Sequence, residues 1–249
     1  MVLHSSATFT KTMRKVIDLA NIPICIDLKY PYYEPIFAPF AAQSEPKLEI
    51  SISQAEIETA KPRYEIGSST PYIEYMELCN KISDAMIPYD RVFFHGAAFL
   101  WRGKAWIFTA QSGTGKTTQF LLWKELFGDE IQIINGDKPV LRFDNDGITV
   151  YPSPWNGKEG MGQLISAPLG GIVLLQQSSS DKIRKITDAE AAGSIFPQFL
   201  FNRNTVDDVH AVCRLEEMLL TQTPVWLLKN CGDKASAILC YDTLMEAQL

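Results

Sequence analysis

The sequence predicts an α/β chain whose mixed sheet is flanked by helices and preceded by a small β-rich lead-in. Three observations predict it. A dense apolar run, Lys104 to Thr109, passes through a glycine-bearing loop into Lys116 to Phe127, where Phe120, Leu122, Trp123, Leu126 and Phe127 recur among polar residues as on a helix. Val140 to Phe143 and Ile148 to Tyr151 flank the turn-forming Asp144-Asn145-Asp146-Gly147, a hairpin that makes the sheet mixed. The length of 249 residues suits one large α/β domain with a modest appendage, because single cores grow to roughly 250 residues.

Residues 1–88 form the expected lead-in subdomain. Short apolar runs, Ile22 to Leu28 and Leu48 to Ile52, are separated by proline-bearing connections such as Tyr30-Pro31 and Ala38-Pro39. A helix over Glu74 to Met86 follows from Tyr75, Leu78, Cys79, Ile82 and Met86 at spacings of three and four, and Pro88 ends it. Residues 89–249 form the main domain. Val92 to Ala97, Ala98 to Trp101 and Lys104 to Thr109 read as consecutive strands, the last two joined at Arg102-Gly103, and Gly128 stands where the helix after the loop would be capped. A strand over Ile131 to Ile134 runs into Asn135-Gly136-Asp137. Beyond the hairpin, Gly171 to Gln176 and Val225 to Leu228 read as strands, Asp188 to Phe199 and Thr205 to Leu220 as helices, and Asp233 as the cap of a last helix.

A formal net charge of -6 argues against a broad nucleic-acid-binding face. No run approaches the roughly 20 apolar residues of a membrane span, and Met1 to Met13 lacks a signal-peptide core, so a cytoplasmic protein without a membrane partner is expected. Five cysteines without a C-x-x-C pair read as free thiols. The chain is compatible with a homo-oligomer.

Ala110 to Thr117 matches the phosphate-loop pattern, with alanine in place of the first glycine. Gly113 and Gly115 let backbone N–H groups turn inward around a phosphate, Lys116 supplies a point charge, and the Thr117 hydroxyl is placed to ligate Mg²⁺. The helix that starts there adds its positive end, about 0.3–2 kcal/mol. Gln111, Ser112, Gly113, Thr114, Gly115, Lys116, Thr117 and Thr118 are therefore the expected nucleotide-binding residues, with ATP and Mg²⁺ as cofactors. Phosphoryl transfer also needs a group that accepts the attacking hydroxyl's proton. Asp137, at a strand end beside Gly136, is the candidate, its alternative being a plain turn aspartate. Glu159 either completes the Mg²⁺ shell with Thr117 and Asp137 or is an exposed loop residue. Lys158, Arg203 and Arg214 are candidates for neutralising the transferring charge, with Arg203 retained among the catalytic residues and a solvated helix face favoured for Arg214.

Ser112 to Thr118 resembles the loop shared by phosphoenolpyruvate carboxykinases and the catalytic domain of HPr kinase/phosphorylase. His95-Gly96, 21 positions before Lys116, is similar to the His-Gly of HPr kinases, and Ile134 to Leu141 resembles their acidic motif. Tyr151 to Gly160 looks more like the HPr-kinase-like enzymes of peptide biosynthesis, including lasso-peptide precursor kinases. Two departures stand out: Gly136 occupies the place of the first aspartate of the usual pair, and the longer signature around the family's glutamate is missing. The resemblance implies a P-loop HPr kinase/PEP-carboxykinase-like fold. It also implies a role for His95 near the transferred phosphate, where spacing alone suggests a core imidazole. The implied activity is an ATP- and Mg²⁺-dependent serine kinase whose partner is a peptide or small protein, with a biosynthetic precursor peptide favoured. A small-molecule kinase, a carboxykinase relative and a non-catalytic nucleotide-binding regulator are the alternatives.

Overall fold

The computed structural model describes residues 12–111, 114–203 and 205–247. Its contacts divide the chain into two compact units that meet between Ile82 and Ser83, inside a helix.

In the first unit, β1 (Met13–Leu19) and β2 (Ile22–Leu28) form an antiparallel hairpin. The two-residue turn, Ala20-Asn21, has both residues at positive φ, the backbone that matches the twist of the flanking strands. After the short α1 (Glu34–Phe37), β3 (Leu48–Ser51) adds to β2 in parallel, and β2 is buried almost throughout. β1 has no counterpart in the sequence reading, because Arg14, Lys15 and Asp18 interrupt its apolar pattern.

The next helix, α2 (Gln54–Ala60), starts in a reciprocal cap: Ser53 accepts from Glu56 N–H while Glu56 accepts from Ser53 N–H. Lys81, on α3 (Thr70–Met86), donates to the same carboxylate at 2.7 Å. The Lys81 ammonium and the Ser53 bonds hold the Glu56 carboxyl down at about 2 from 4.5. A carboxyl that is more acidic in the folded chain than in the unfolded one stabilises fully above the unfolded value and loses that contribution as pH falls through the folded value. Glu56→Gln is therefore expected to reduce the loss of thermal stability between pH 4.5 and 2, read as Tm against pH beside the parent. An unchanged slope would remove Glu56 from the acid response.

The second unit is built on a sheet whose strands run in the order β12-β4-β8-β9-β10-β6-β5-β7, with β13 beside β10 and β11 outside β13. These strands are β4 (Arg91–Phe94), β5 (Ala97–Trp101), β6 (Lys104–Thr109), β7 (Gln132–Asn135), β8 (Val140–Asp144), β9 (Gly147–Tyr151), β10 (Ala167–Gln177), β11 (Lys182–Ile186), β12 (Phe199–Leu200) and β13 (Val225–Asn230). The long β10 joins the two halves: Ala167 and Pro168 pair antiparallel with β9, and the rest runs parallel to both β6 and β13. Gly171 makes the β10–β6 contact possible, since a Cβ there would lie 2.4 Å from the Trp106 ring.

Helices cover both faces. Val92, Ile107, Leu141 and Ile172 turn to one face and pack with Ile195 of α5 (Asp188–Ile195) and Leu215 of α6 (Val206–Gln222). Phe99, Phe108 and Val173 turn to the other and pack with Trp123 of α4 (Lys116–Phe127) and Cys240 of α7 (Lys234–Glu246). Adjacent residues such as Ile107 and Phe108 enter opposite layers because side chains alternate along a strand. The chain is thus mixed α/β, a large mixed sheet between helices with a small N-terminal sheet before it. Among the described residues no helix is long and apolar enough to cross a membrane.

The helix expected over 188–199 ends at Ile195. Pro197 enters a 3-10 turn and Phe199 begins β12, because proline lacks the N–H that would continue the helix.

Candidate functional site

β6 lies between β5 and β10, and its end at Thr109 opens into the loop that leads to α4. Gln111 O accepts from Thr114 N–H at 3.3 Å and from the Thr114 hydroxyl at 2.8 Å, so the chain turns back at once. Ser112 and Gly113 lie outside the described residues. Gly115 precedes α4 at φ +97, a left-handed backbone that glycine adopts without Cβ strain. The α4 N-terminus has no side-chain cap from Gly115 and no acid in its first turn, which leaves N–H groups and helix dipole for an anion. Lys116 is half-buried and donates to Ala110 O at 3.3 Å. Burial, with Lys138 beside it, pulls its pKa down, while Asp137 opposes the shift. Thr117 is half-buried, and Gln111 and Thr118 are exposed.

Two further connections close around this loop. His95-Gly96 joins β4 to β5, so His95 sits just beyond its strand instead of within one. Its carbonyl accepts from the Thr109 hydroxyl at 2.7 Å, which fixes it beside the end of β6. Gly96 allows this approach, because a Cβ there would meet Ile107 Cγ2 at 2.5 Å. Gly96 N–H then donates to Asp137 O at 2.9 Å, which ties in the β7–β8 connection.

Asn135 shapes that connection. The buried amide accepts from Asp137 N–H at 2.9 Å and Lys138 N–H at 2.7 Å, and donates to Ser153 O at 3.1 Å. Such a side-chain turn holds the two following residues in one orientation. Gly136 is enforced by crowding: a Cβ would stand 2.7 Å from Asn156 O and 3.3 Å from Met161 O. The departure from an aspartate pair noted in the sequence is therefore built into the backbone, and an acid at position 136 does not fit.

The side chains converge on Asp137. Its Oδ1 lies 3.5 Å from His95 Nε2, its Oδ2 accepts from Lys138 Nζ, and the imidazole and carboxylate are 26% and 25% exposed, open to a ligand. His95 Nδ1 lies 3.2 Å from Gln198 Oε1. Because that amide oxygen only accepts, Nδ1 carries the hydrogen, and a neutral ring turns the Nε2 lone pair toward Asp137. Burial, then Lys116, pull the His95 pKa below its ordinary value against the opposing Asp137 charge, so the neutral form prevails near pH 7.

Glu159 is exposed, and its carboxylate lies near the turn that carries Asp137. The point where a Gly157 Cβ would stand lies 3.6 Å from Glu159 Oε2 and 3.2 Å from Asp137 Cβ. A Mg²⁺ ion that keeps waters and phosphate oxygens needs only one or two carboxylates, the kind of donor that Asp137 and Glu159 carry. Among the described residues no group of three acids, histidines or cysteines forms a metal cage.

Arg203 is not brought to the group. β12 runs antiparallel to β4, so the chain leaves Gln198, beside His95, toward the Arg91 end, and Arg203 comes to lie over the Phe196 and Phe201 rings at 5.5 and 5.6 Å. Lys158 is exposed. Arg214 pairs with Asp90, as a solvated helix face would have it. The sequence reading missed Lys138, Gln198 and Asn135. Asn-Gly-Asp-Lys carried a signal for two of them, an Asx turn that directs Lys138 beside Asp137, whereas Gln198 arrives from 103 residues away without a local mark.

No protein-family model matches the chain, and no curated protein matches it. Among solved structures, the chain is similar to the Hpr(Ser) kinase/phosphatase from Coxiella burnetii, with a TM-score of 0.40 and 10% identity over 63% of this chain and 90% of that one. At that score and identity the similarity assigns no chemistry to this chain.

Proposed function

We propose that the chain is an ATP- and Mg²⁺-dependent kinase that transfers the γ-phosphoryl group to a serine hydroxyl of a peptide or small protein, a biosynthetic precursor peptide being the favoured acceptor. The observation that carries the reading is the convergence of His95 and Lys138 on Asp137 beside the end of β6, from which the chain passes to Lys116 at the uncapped start of α4. Lys116 and the α4 N–H groups hold β- and γ-phosphates by charge and dipole. Asp137 takes the acceptor's proton, and His95, with Nδ1 tied to Gln198, stands with its Nε2 lone pair toward the same carboxyl, where it accepts the hydrogen bond of the protonated acid. Mg²⁺ held by Thr117, Glu159 and Asp137 would supply neutralisation of phosphate charge. Serine as acceptor and a peptide as its carrier are supported by the likeness of His95-Gly96 and of Tyr151 to Gly160 to HPr-kinase-like sequences.

A nucleotide-binding regulator is the second reading, favoured by one observation: Gly136 excludes the first acid of the usual pair. Purified protein incubated with γ-labelled ATP and a cell extract distinguishes the readings. Label in protein or peptide is expected. Label confined to small metabolites would redirect the acceptor to a metabolite, and tight nucleotide binding without any transfer would establish the regulator.

A further inference from the structure

We infer that Lys138 is a second phosphate-binding lysine of this site, leaving Asp137 to meet the γ-phosphoryl group during transfer. The inference rests on the kinase reading and adds to it the cation that neutralises the moving charge. Transfer through a loose transition state places negative charge on three equatorial oxygens, and a nearby cation is required there. Of the candidates named from the sequence, Arg214 pairs with Asp90, Arg203 lies over two phenylalanine rings, and Lys158 is exposed. Lys138 has instead a partner within the site and a side chain only 17% exposed.

Its backbone is fixed on both sides. Lys138 N–H donates to Asn135 Oδ1 at 2.7 Å and to Trp155 O at 3.1 Å, and Lys138 O accepts from the Ser153 hydroxyl. Asn135 and Ser153 are buried, so the ammonium is delivered to Asp137 from a rigid base while its four-carbon stem keeps freedom of reach. Lys138 pairs with Asp137, the carboxylate that also faces the His95 ring, and Lys116 stands at the start of α4 in the adjoining loop. An ammonium has three donors, and one carboxylate oxygen does not satisfy them.

During transfer the acceptor oxygen bonds to phosphorus, the bond from phosphorus to the bridging β-oxygen breaks with its electrons remaining on ADP, and the acceptor's proton passes to Asp137. Lys138 keeps its protons and moves its hydrogen bonds from Asp137 Oδ2 to the phosphoryl oxygens, which frees that carboxylate oxygen at the step that uses it.

Calorimetry with Mg²⁺ and either ADP or adenylyl imidodiphosphate tests the assignment on the full chain. Lys138→Met is expected to keep ADP affinity within about twofold, to lose about tenfold or more for the imidodiphosphate, and to lower kcat about a hundredfold, the scale of one charge-assisted hydrogen bond. Lys138→Arg should recover most of the imidodiphosphate affinity and guards against a folding failure in the first variant. Equal losses for both nucleotides would mean that Lys138 only supports the loop, and no loss for either would mean that it makes no phosphate contact; each overturns the inference. A parent protein that binds neither nucleotide would overturn the kinase reading itself, whereas a parent that binds both equally tightly would overturn only the γ-phosphate contact.

Discussion

Replacement of Asp137 by asparagine is expected to slow phosphoryl transfer about a thousandfold or more, near 4 kcal/mol in the barrier, while nucleotide affinity changes little. Asparagine has the same shape, and the backbone bond from Gly96 N–H to Asp137 O at 2.9 Å does not depend on the side chain, so the convergence of the three connections should persist. What is lost is the capacity to accept a proton, together with one anionic oxygen for Mg²⁺, which Thr117 and Glu159 would still hold. The charge opposite Lys138 also disappears, which releases that ammonium toward phosphate and so does not weaken nucleotide binding. Rates measured with saturating acceptor and nucleotide beside calorimetric affinities separate the two effects. Undiminished transfer would remove Asp137 from the proton-acceptor role and return it to an ordinary turn residue.

The part of this site that is local in the chain was legible in the sequence. The strand Lys104–Thr109 and the helix Lys116–Phe127 appear as read, down to Gly128, whose N–H bonds Lys124 O at the helix end. Asp233 caps the last helix by accepting from Ser236 N–H, and Val140 to Tyr151 forms a hairpin as read, with Asp144 and Gly147 paired at its end. Each of these depends on neighbours within a few residues, where turn chemistry and periodicity carry the information. What escaped depends on distant partners. β11 is a strand because Ile183 and Ile186 lie against β13, yet Lys182, Arg184 and Lys185 give it the look of a solvated loop. β10 pairs with three strands at once, and nothing in its own apolar run says which. The same division runs through the site. His95, Lys116 and Asp137 were singled out from motifs, whereas the tautomer of His95 is set by Gln198 across the sheet edge, and Arg203 was drawn in by charge alone without the antiparallel course of β12 that precedes it.

Gly136 offers the second large effect, because it stands where an aspartate would complete the pair. Writing that acid in as Gly136→Asp is expected to abolish transfer instead of improving it, and Gly136→Ala should already cost about a hundredfold. The first atom a larger residue adds, Cβ, meets the backbone oxygens of Asn156 at 2.7 Å and Met161 at 3.3 Å. Backbone oxygens cannot swing aside as a side chain can, so the 155–162 segment must separate from the β7 end. That movement strains three bonds together: Gly136 N–H to Met161 O at 3.0 Å, Lys138 N–H to Trp155 O at 3.1 Å, and the bridge between Asn135 and Gly162. Overpacking of this kind costs about 1–3 kcal/mol, equivalent to roughly 2–10 °C in Tm for a domain of this size. The kinetic effect is larger than the thermal one, since displacing a reacting group by about 1 Å costs about a hundredfold in rate. Thermal melts and transfer rates of both variants, measured beside the parent, check this. A Gly136→Asp protein as stable as the parent and faster in transfer would show that the two segments yield without cost, and with that the glycine would cease to explain why this site works with one aspartate.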